Sequence, residues 1–132
     1  MDFIYRVTDS VNSIPQLPLN MRTGYLGAKE SLVISPLPGS SKTQVYMDGA
    51  EDVNQHYEIA MKSKDGDRVE KTLWLISDYL DQLEDVSSQD NSFTFNDLTI
   101  TSKPFIEGTD EQGWFTFSLN FTANITKYKE RT

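Results

Sequence analysis

The chain has 132 residues, 37% of them hydrophobic and 24% charged, with no cysteine and a formal charge of -8 from 12 Lys plus Arg against 20 Asp plus Glu. That length fits a single domain, read as spanning 1–132, able to bury about two-thirds of its extended surface without covalent staples. The missing thiols exclude a disulfide framework, thiolate metal sites and cysteine catalysis, while the acidity opposes ordinary nucleic-acid binding and adhesion to anionic membranes.

The chain start, Met1-Asp2-Phe3-Ile4-Tyr5-Arg6, carries an acid at position 2 and no long apolar region, so it does not read as a signal peptide. Phe3, Ile4, Val7, Val11 and Ile14 recur at helical spacing and predict a helix over about 2–13, ending before Pro15 and Pro18. Residues 15–30 hold no sustained period and are expected to form an extended connector suited to lying along a partner. Ser31–Ser35 predicts a short strand halted by a Pro36-Leu37-Pro38-Gly39 turn, and Thr43–Met47 a second one before a turn at Asp48-Gly49 and a polar stretch to Asn54. In His56–Lys62 the alternation puts Tyr57, Ile59 and Met61 on one face of a strand.

Asp67-Arg68-Val69-Glu70 has the pattern of a capping box, and Val69, Leu73, Ile76, Leu80 and Leu83 follow at spacings of 4, 3, 4 and 3. A second helix is predicted over about 68–85, with Trp74 and Tyr79 widening its buried face. From Phe93 the period returns to two, with Asn96-Asp97 as a turn or bulge and Gly108–Gly113 as a polar hairpin loop. Trp114–Ile125 alternates without a break, about 40 Å of strand, which predicts pairing beyond the local sheet or a curl. A short basic tail, 126–132, closes the chain. This order implies an α+β fold: a mainly antiparallel, twisted sheet with two helices packed on one face.

The acidic surplus peaks at -5 over residues 55–92, where 9 acids face 4 bases. His56 is the sole imidazole, and with no thiol a zinc site would need three oxygen ligands. Neither Asp48, Glu51 and Asp52 nor Asp65-Gly66-Asp67 supplies the ligand spacing of a calcium loop, and these acids read as a turn and a helix cap. Pro38-Gly39-Ser40-Ser41-Lys42-Thr43 lacks the Gly-Lys pair of a phosphate loop. Asn120 and Asn124 match a glycosylation acceptor pattern that strand alternation alone explains. Phe93, Phe95, Phe115 and Phe117 are core stripes rather than stacking platforms, since no Lys or Arg interleaves with them. No enzymatic constellation emerges, and no cofactor or metal is expected.

Several segments in order carry a likeness: Gly24-Tyr25-Leu26, Glu30–Ile34, Pro36–Ser40, Tyr57–Lys64, the helix Lys71–Leu83, Pro104-Phe105-Ile106 and Asp110–Trp114. Over about residues 1–127 the chain resembles the minor capsid or tail-completion proteins of long-tailed bacteriophages of Gram-positive bacteria, and within them the tail terminator group. The resemblance implies helices on one face of a mixed sheet and a homo-hexameric ring that caps the tail tube. Such a ring ends tube polymerisation and offers the joining surface for the head-tail connector. The implied partners are further copies of the chain, the major tail tube protein and the connector, with DNA only as non-specifically transiting cargo and no membrane. The implied location is the neck end of the virion tail, reached from the host cytoplasm during assembly. A different neck component or a small acidic host-protein-binding module is the alternative. On the ring reading, Pro36, Pro38, Gly39, Ser40, Gly108, Asp110, Glu111 and Gly113 are candidate interface-loop residues. Asp48, Glu51, Asp52, Asp110 and Glu111 are candidate pore-lining acids.

Overall fold

A computed structural model describes residues 3–27, 29–39, 41–86 and 92–128. Helix α1 is Phe3–Asn12, strand β1 Arg22–Thr23, β2 Ser31–Pro36, β3 Ser41–Val45, β4 Glu51–Ser63, helix α2 Gly66–Asp81, β5 Phe93–Thr109 and β6 Phe115–Lys127. One mostly antiparallel sheet runs in the order β1-β2-β4-β6-β5, and β3 also pairs with β4. Both helices pack on the same face, so the α+β expectation holds.

The apolar period decides which residues meet. Phe3, Val7 and Val11 of α1 and Val69, Leu73 and Ile76 of α2 are fully buried, and Leu80 is 1% exposed. They cover the odd-numbered residues of β4 and β6, of which Ile59, Met61, Leu119, Phe121, Ala123 and Ile125 are fully buried. The Phe3 ring sits edge-on to Phe93 at 5.2 Å and near Tyr57 at 5.6 Å, and Tyr57 stacks on Phe121 at 5.4 Å. Ser10 of α1 and Tyr79 of α2 share a short hydrogen bond that ties the helices together. Trp74, by contrast, is 40% exposed and does not widen the buried face of α2.

The cap of α2 lies two residues earlier than the capping-box pattern indicates. Asp65, with extended backbone, accepts from the Arg68 backbone N–H, and Asp67 lies in the first turn. Gly66 sits against the Phe115 ring, where a Cβ would be 3.4 Å from the ring atoms, so a residue without a side chain starts the helix beneath the sheet. The helix stops at Asp81, and Gln82 closes it with its N–H on Tyr79 and Leu80 carbonyls.

The 15–30 connector is anchored within the chain. Asn12 clamps the Met21 backbone, accepting from its N–H at 2.7 Å and donating to its carbonyl at 2.9 Å. Arg22 and Thr23 then pair in parallel with Val33 and Ile34. The polar stretch after Gly49 is strand from Glu51 onward, because it is flanked by β3 and β6.

The largest departure concerns the long terminal strand. All thirteen residues of β6 pair with β4, and its other edge pairs with β5 from Phe93↔Lys127 to Thr109↔Phe115. It is an interior strand, satisfied on both edges by its own chain, and supplies no spare length for a neighbour. Thr126 and Lys127 belong to it rather than to a free tail; 129–132 lie outside the described residues.

Leu73→Ala, Ile76→Ala and Leu80→Ala are each expected to cost about 2–5 kcal/mol. Asp65→Ala should cost about 0.5–2 kcal/mol and Asp67→Ala less than Asp65→Ala. Urea denaturation of the variants ranks them, and an Asp67 effect as large as that of Asp65 would return the cap to the later position.

Candidate functional site

The odd residues of β6 from Phe117 to Ile125 point to the core, so the even ones from Thr116 to Thr126 point to the opposite face, which neither described helix covers. In register with β4 this face brings together Asn124 with Asn54, Thr122 with His56 and Asn120 with Glu58. The Asn124 amide donates to Asn54 at 2.8 Å, and Asn96 donates to Asn124 at 2.9 Å and to Thr126 at 3.0 Å. His56 Nδ1 and the Thr122 hydroxyl share a hydrogen bond of 2.7 Å. The result is a cross-linked polar ladder in which hydroxyls and amides outnumber charges.

Asp52 joins this ladder to the β3–β4 hairpin. It accepts from Thr126 Oγ1 at 2.6 Å and from the Tyr46 phenol at 2.7 Å. These bonds, Thr126 first, hold its carboxyl below the usual aspartate range, and the same contact raises the Tyr46 phenol. Glu58 goes the other way: desolvation within the sheet raises it, and Glu107 adds a like charge. Burial also pushes the Tyr57 phenol up, with its O–H donating to Gln55.

The candidate loop residues fall into two groups of different construction. Pro36 ends β2 opposite Tyr57, and Ser41 begins β3 opposite Asn54. β2 and β3 therefore follow the same side of β4 in the same direction, with residues 37–39 in a bulge between them, and the chain does not reverse there. Leu37 N–H donates to the His56 carbonyl at 2.8 Å, and Gly39, at φ 100°, passes the His56 ring within 4 Å of where a Cβ would stand. Pro38 is exposed beside it, and Ser40 lies outside the described residues. Gly108 is a strand residue at a register shift of β5, so the second loop is shorter than expected, 110–114. There Asp110 accepts from Gln112 N–H at 2.9 Å and Trp114 N–H at 3.0 Å, which makes it the holder of the turn, with Gly113 at φ 88°. Glu111 is exposed.

The candidate acids occupy opposite ends of the sheet. Asp48, Glu51 and Asp52 lie where β4 begins, and Asp110 and Glu111 lie beyond the other end of the strands. Twelve steps of β4 separate the two ends, about 40 Å. Asp48 caps its own turn through Ala50 N–H at 3.0 Å, and Glu51 is paired with Lys42 at 3.0 Å. An open groove of about 600 Å³ runs between the start of α2 and residues 16–18, but its Asp65 is the helix cap and its Arg68 pairs with Glu30 at 3.1 Å. Among the described residues, no group of three or more His, Asp or Glu is placed to hold a metal ion.

A family model described as bacteriophage tail terminator protein matches residues 10–127, from late in α1 to the last residue of β6. The chain belongs to the bacteriophage tail terminator family. Its role is accordingly structural, in phage tail assembly. No curated protein matches the chain.

The sequence reading missed a run of exposed apolar side chains at the tip of the β3–β4 hairpin, Val45 at 60%, Tyr46 at 40% and a fully exposed Met47. Alternation marked them as strand, and only the turn at Asp48-Gly49 hinted that they stand at a tip. It also missed the aromatic patch at the far end of the sheet. There the Lys62 and Lys64 ammonium groups lie 5.0 and 5.2 Å from the Trp114 ring, with Phe105 40% exposed on the same face.

The two carboxyl shifts have opposite signs against pH. A depressed Asp52 contributes stability above the ordinary aspartate value of about 3.9 and loses it as pH falls through the lower folded value. A raised Glu58 favours the fold below about 4.3 and loses that advantage as pH rises through its folded value. At pH 7, Asp52→Asn should therefore lower the urea midpoint and Glu58→Gln should raise it, both effects shrinking toward pH 3. Denaturation curves at the two pH values check the pair.

Proposed function

We propose that the protein forms a homo-hexameric ring at the neck end of the tail of a long-tailed phage of a Gram-positive host. There it ends polymerisation of the tube and presents the surface that receives the head connector. The observation that carries this reading is the family match over 10–127, which takes in every strand and α2. The sheet supports it. Its two lateral edges are unlike: the two-residue β1 and the short, wholly exposed β3 on one side and the seventeen-residue β5 on the other. Unlike surfaces meet head to tail, and a head-to-tail contact closes a ring when its rotation divides the circle.

In this reading the partners are other copies of the chain, the tube protein and the connector, with DNA passing through as cargo. Pro36, Pro38 and Gly39 at the bulge, Ser40 next to them in sequence, and the turn around Gly108, Asp110, Glu111 and Gly113 serve as contacts to the rings above and below. A net negative wall lets DNA pass without sticking, and Glu111 is the acid best suited to it, because it is exposed and no hydrogen bond in the turn depends on it. Asp110 and Asp52 hold local structure, and Glu51 is already countered by Lys42.

Cryo-microscopy of intact tails tests the assembly: this chain is expected as the last ring before the connector, and a terminal ring of another protein overturns the proposal. Glu111→Lys changes the charge by +2 per subunit, about +12 around six copies. Tails carrying it should assemble and join, but eject DNA more slowly at low salt. Failed joining with free tails of normal length places Glu111 on the connector surface instead. Electron microscopy of lysates and an ejection assay separate these results.

A further inference from the structure

We propose that the Val45–Asp48 hairpin tip of one copy docks on the Trp114 patch of the next, which names the contact that closes the ring. The inference rests on the ring reading for its geometry, and its test is separable from that reading.

The tip presents three consecutive hydrophobic side chains to solvent, ending in the fully exposed Met47. Such a run is a cost to a free hairpin and a gain to one that inserts. The hairpin is braced for the purpose. Tyr46 N–H donates to the Ala50 carbonyl at 2.8 Å, its phenol to Asp52 at 2.7 Å, and Asp52 is bound in turn to Thr126 of β6. Little ordering entropy therefore remains to be lost on docking.

The receiving surface has the complementary chemistry. The Trp114 ring carries two ammonium groups, Lys62 and Lys64, and Phe105, 40% exposed, stands farther along the same face on β5, opposite Ser118; Tyr25, 82% exposed, belongs to the connector whose Gly27 carbonyl accepts from Lys62 at 3.2 Å. A methionine thioether packs favourably against aromatic rings, and Asp48 beside it meets the two lysines. Glu58, the acid on the same face of β4, lies four residues from Lys62. The tip and the patch sit at opposite ends of β4, about 40 Å apart along a rigid strand, so one chain cannot join its own tip to its own patch. The partner is a second copy.

Direct strand addition at the open edges is the weaker route. β5 carries four register shifts and Pro104, devices that blunt an edge against backbone pairing.

The cysteine-free chain allows a direct test. Full-length Met47→Cys/Lys64→Cys protein is treated with a short bismaleimide across protein concentrations up to about 1 mM, where weak contacts populate. A ladder of multimers is expected, while an equimolar mixture of the two single variants gives dimers as its largest product. A control pair, Met47→Cys/Asp78→Cys, places the second thiol on the exposed side of α2 and should yield at least about tenfold less. Phe105→Ser in the double-cysteine background should cut the yield by a similar factor, about 1.4 kcal/mol of contact. No ladder at any concentration, Met47-to-Met47 dimers from the single variant, or equal yield from the control pair overturns the contact. In lysates, attachment of Met47→Cys to the tube protein instead of to its own kind overturns it as well. Native mass spectrometry separates the two readings. Six-membered rings lacking the tip-to-patch crosslink retain the ring and reject this contact, whereas a ladder running into open chains retains the contact and rejects the ring.

Discussion

The structure depends on the insertion of β6 between β4 and β5. The two strands it separates are parallel to each other and joined through α2, so the sheet has a gap until the last segment of the chain fills it. Pairings such as Val53 with Ile125 and Ser63 with Phe115 then close long loops, whose entropy must be overcome before the contacts form. Once in place, β6 does three things at once. It lays Leu119, Phe121, Ala123 and Ile125 beneath the helices, it pairs its backbone with both neighbours, and it sets the even residues on the opposite face. A fault in β6 reaches the core and the polar face together.

That polar face is stiff for a reason that differs from the core's. Antiparallel register places like-sized polar side chains opposite one another, and toward the Lys127 end of β6 they bond across the strands: Asn96 with Asn124, Asn124 with Asn54, Thr126 with Asp52, whereas Ser118 Oγ and Asn120 Oδ1 are buried without a partner. The ladder orders the β3–β4 hairpin by way of Asp52 and Tyr46, so a side-chain network on an uncovered face positions a hairpin that makes few other contacts. Net charge on the face stays low because the bonds are mostly between neutral groups. The acidity of the chain resides instead at strand ends, on α2 and in turns.

Periodicity made the helices and the two faces of the sheet legible. The first four positions of the 4-3-4-3 stripe, Val69, Leu73, Ile76 and Leu80, are the buried face of α2, while Leu83 lies past its end and is half-buried, and Tyr57, Ile59 and Met61 lie inward as their alternation requires. Three things were not legible, each for a physical reason. Asp65 and Asp67 offer equally good capping chemistry, and the helix starts where Gly66 packs against the Phe115 ring, a contact about fifty residues distant in sequence that the local pattern does not contain. Pro36-Leu37-Pro38-Gly39 carries residues that serve a turn or a bulge alike, and pairing of both flanks with β4 decides for the bulge. The alternation of β6 states which side chains face inward and is silent on how many strands lie beside it. For the candidate site, the turn acids could be read as turn acids; that Asp48 and Asp110 stand at opposite ends of the sheet required the topology.

The unbroken pairing of β4 also constrains how copies of this chain can meet. From Glu51 to Ser63 the strand is held by β6 along one edge and by β3 and β2 along the other, with an interruption opposite Gln55 and His56. No hinge lies between its two ends. In a head-to-tail ring the angle from one subunit to the next is therefore set by the twist of this strand and by the bulge that locally increases it. In the proposed ring the 110–114 turn can adapt to the tube or the connector without altering that angle, because it does not interrupt the paired length of β4. On that proposal, subunit angle and rim contact fall to different parts of one sheet.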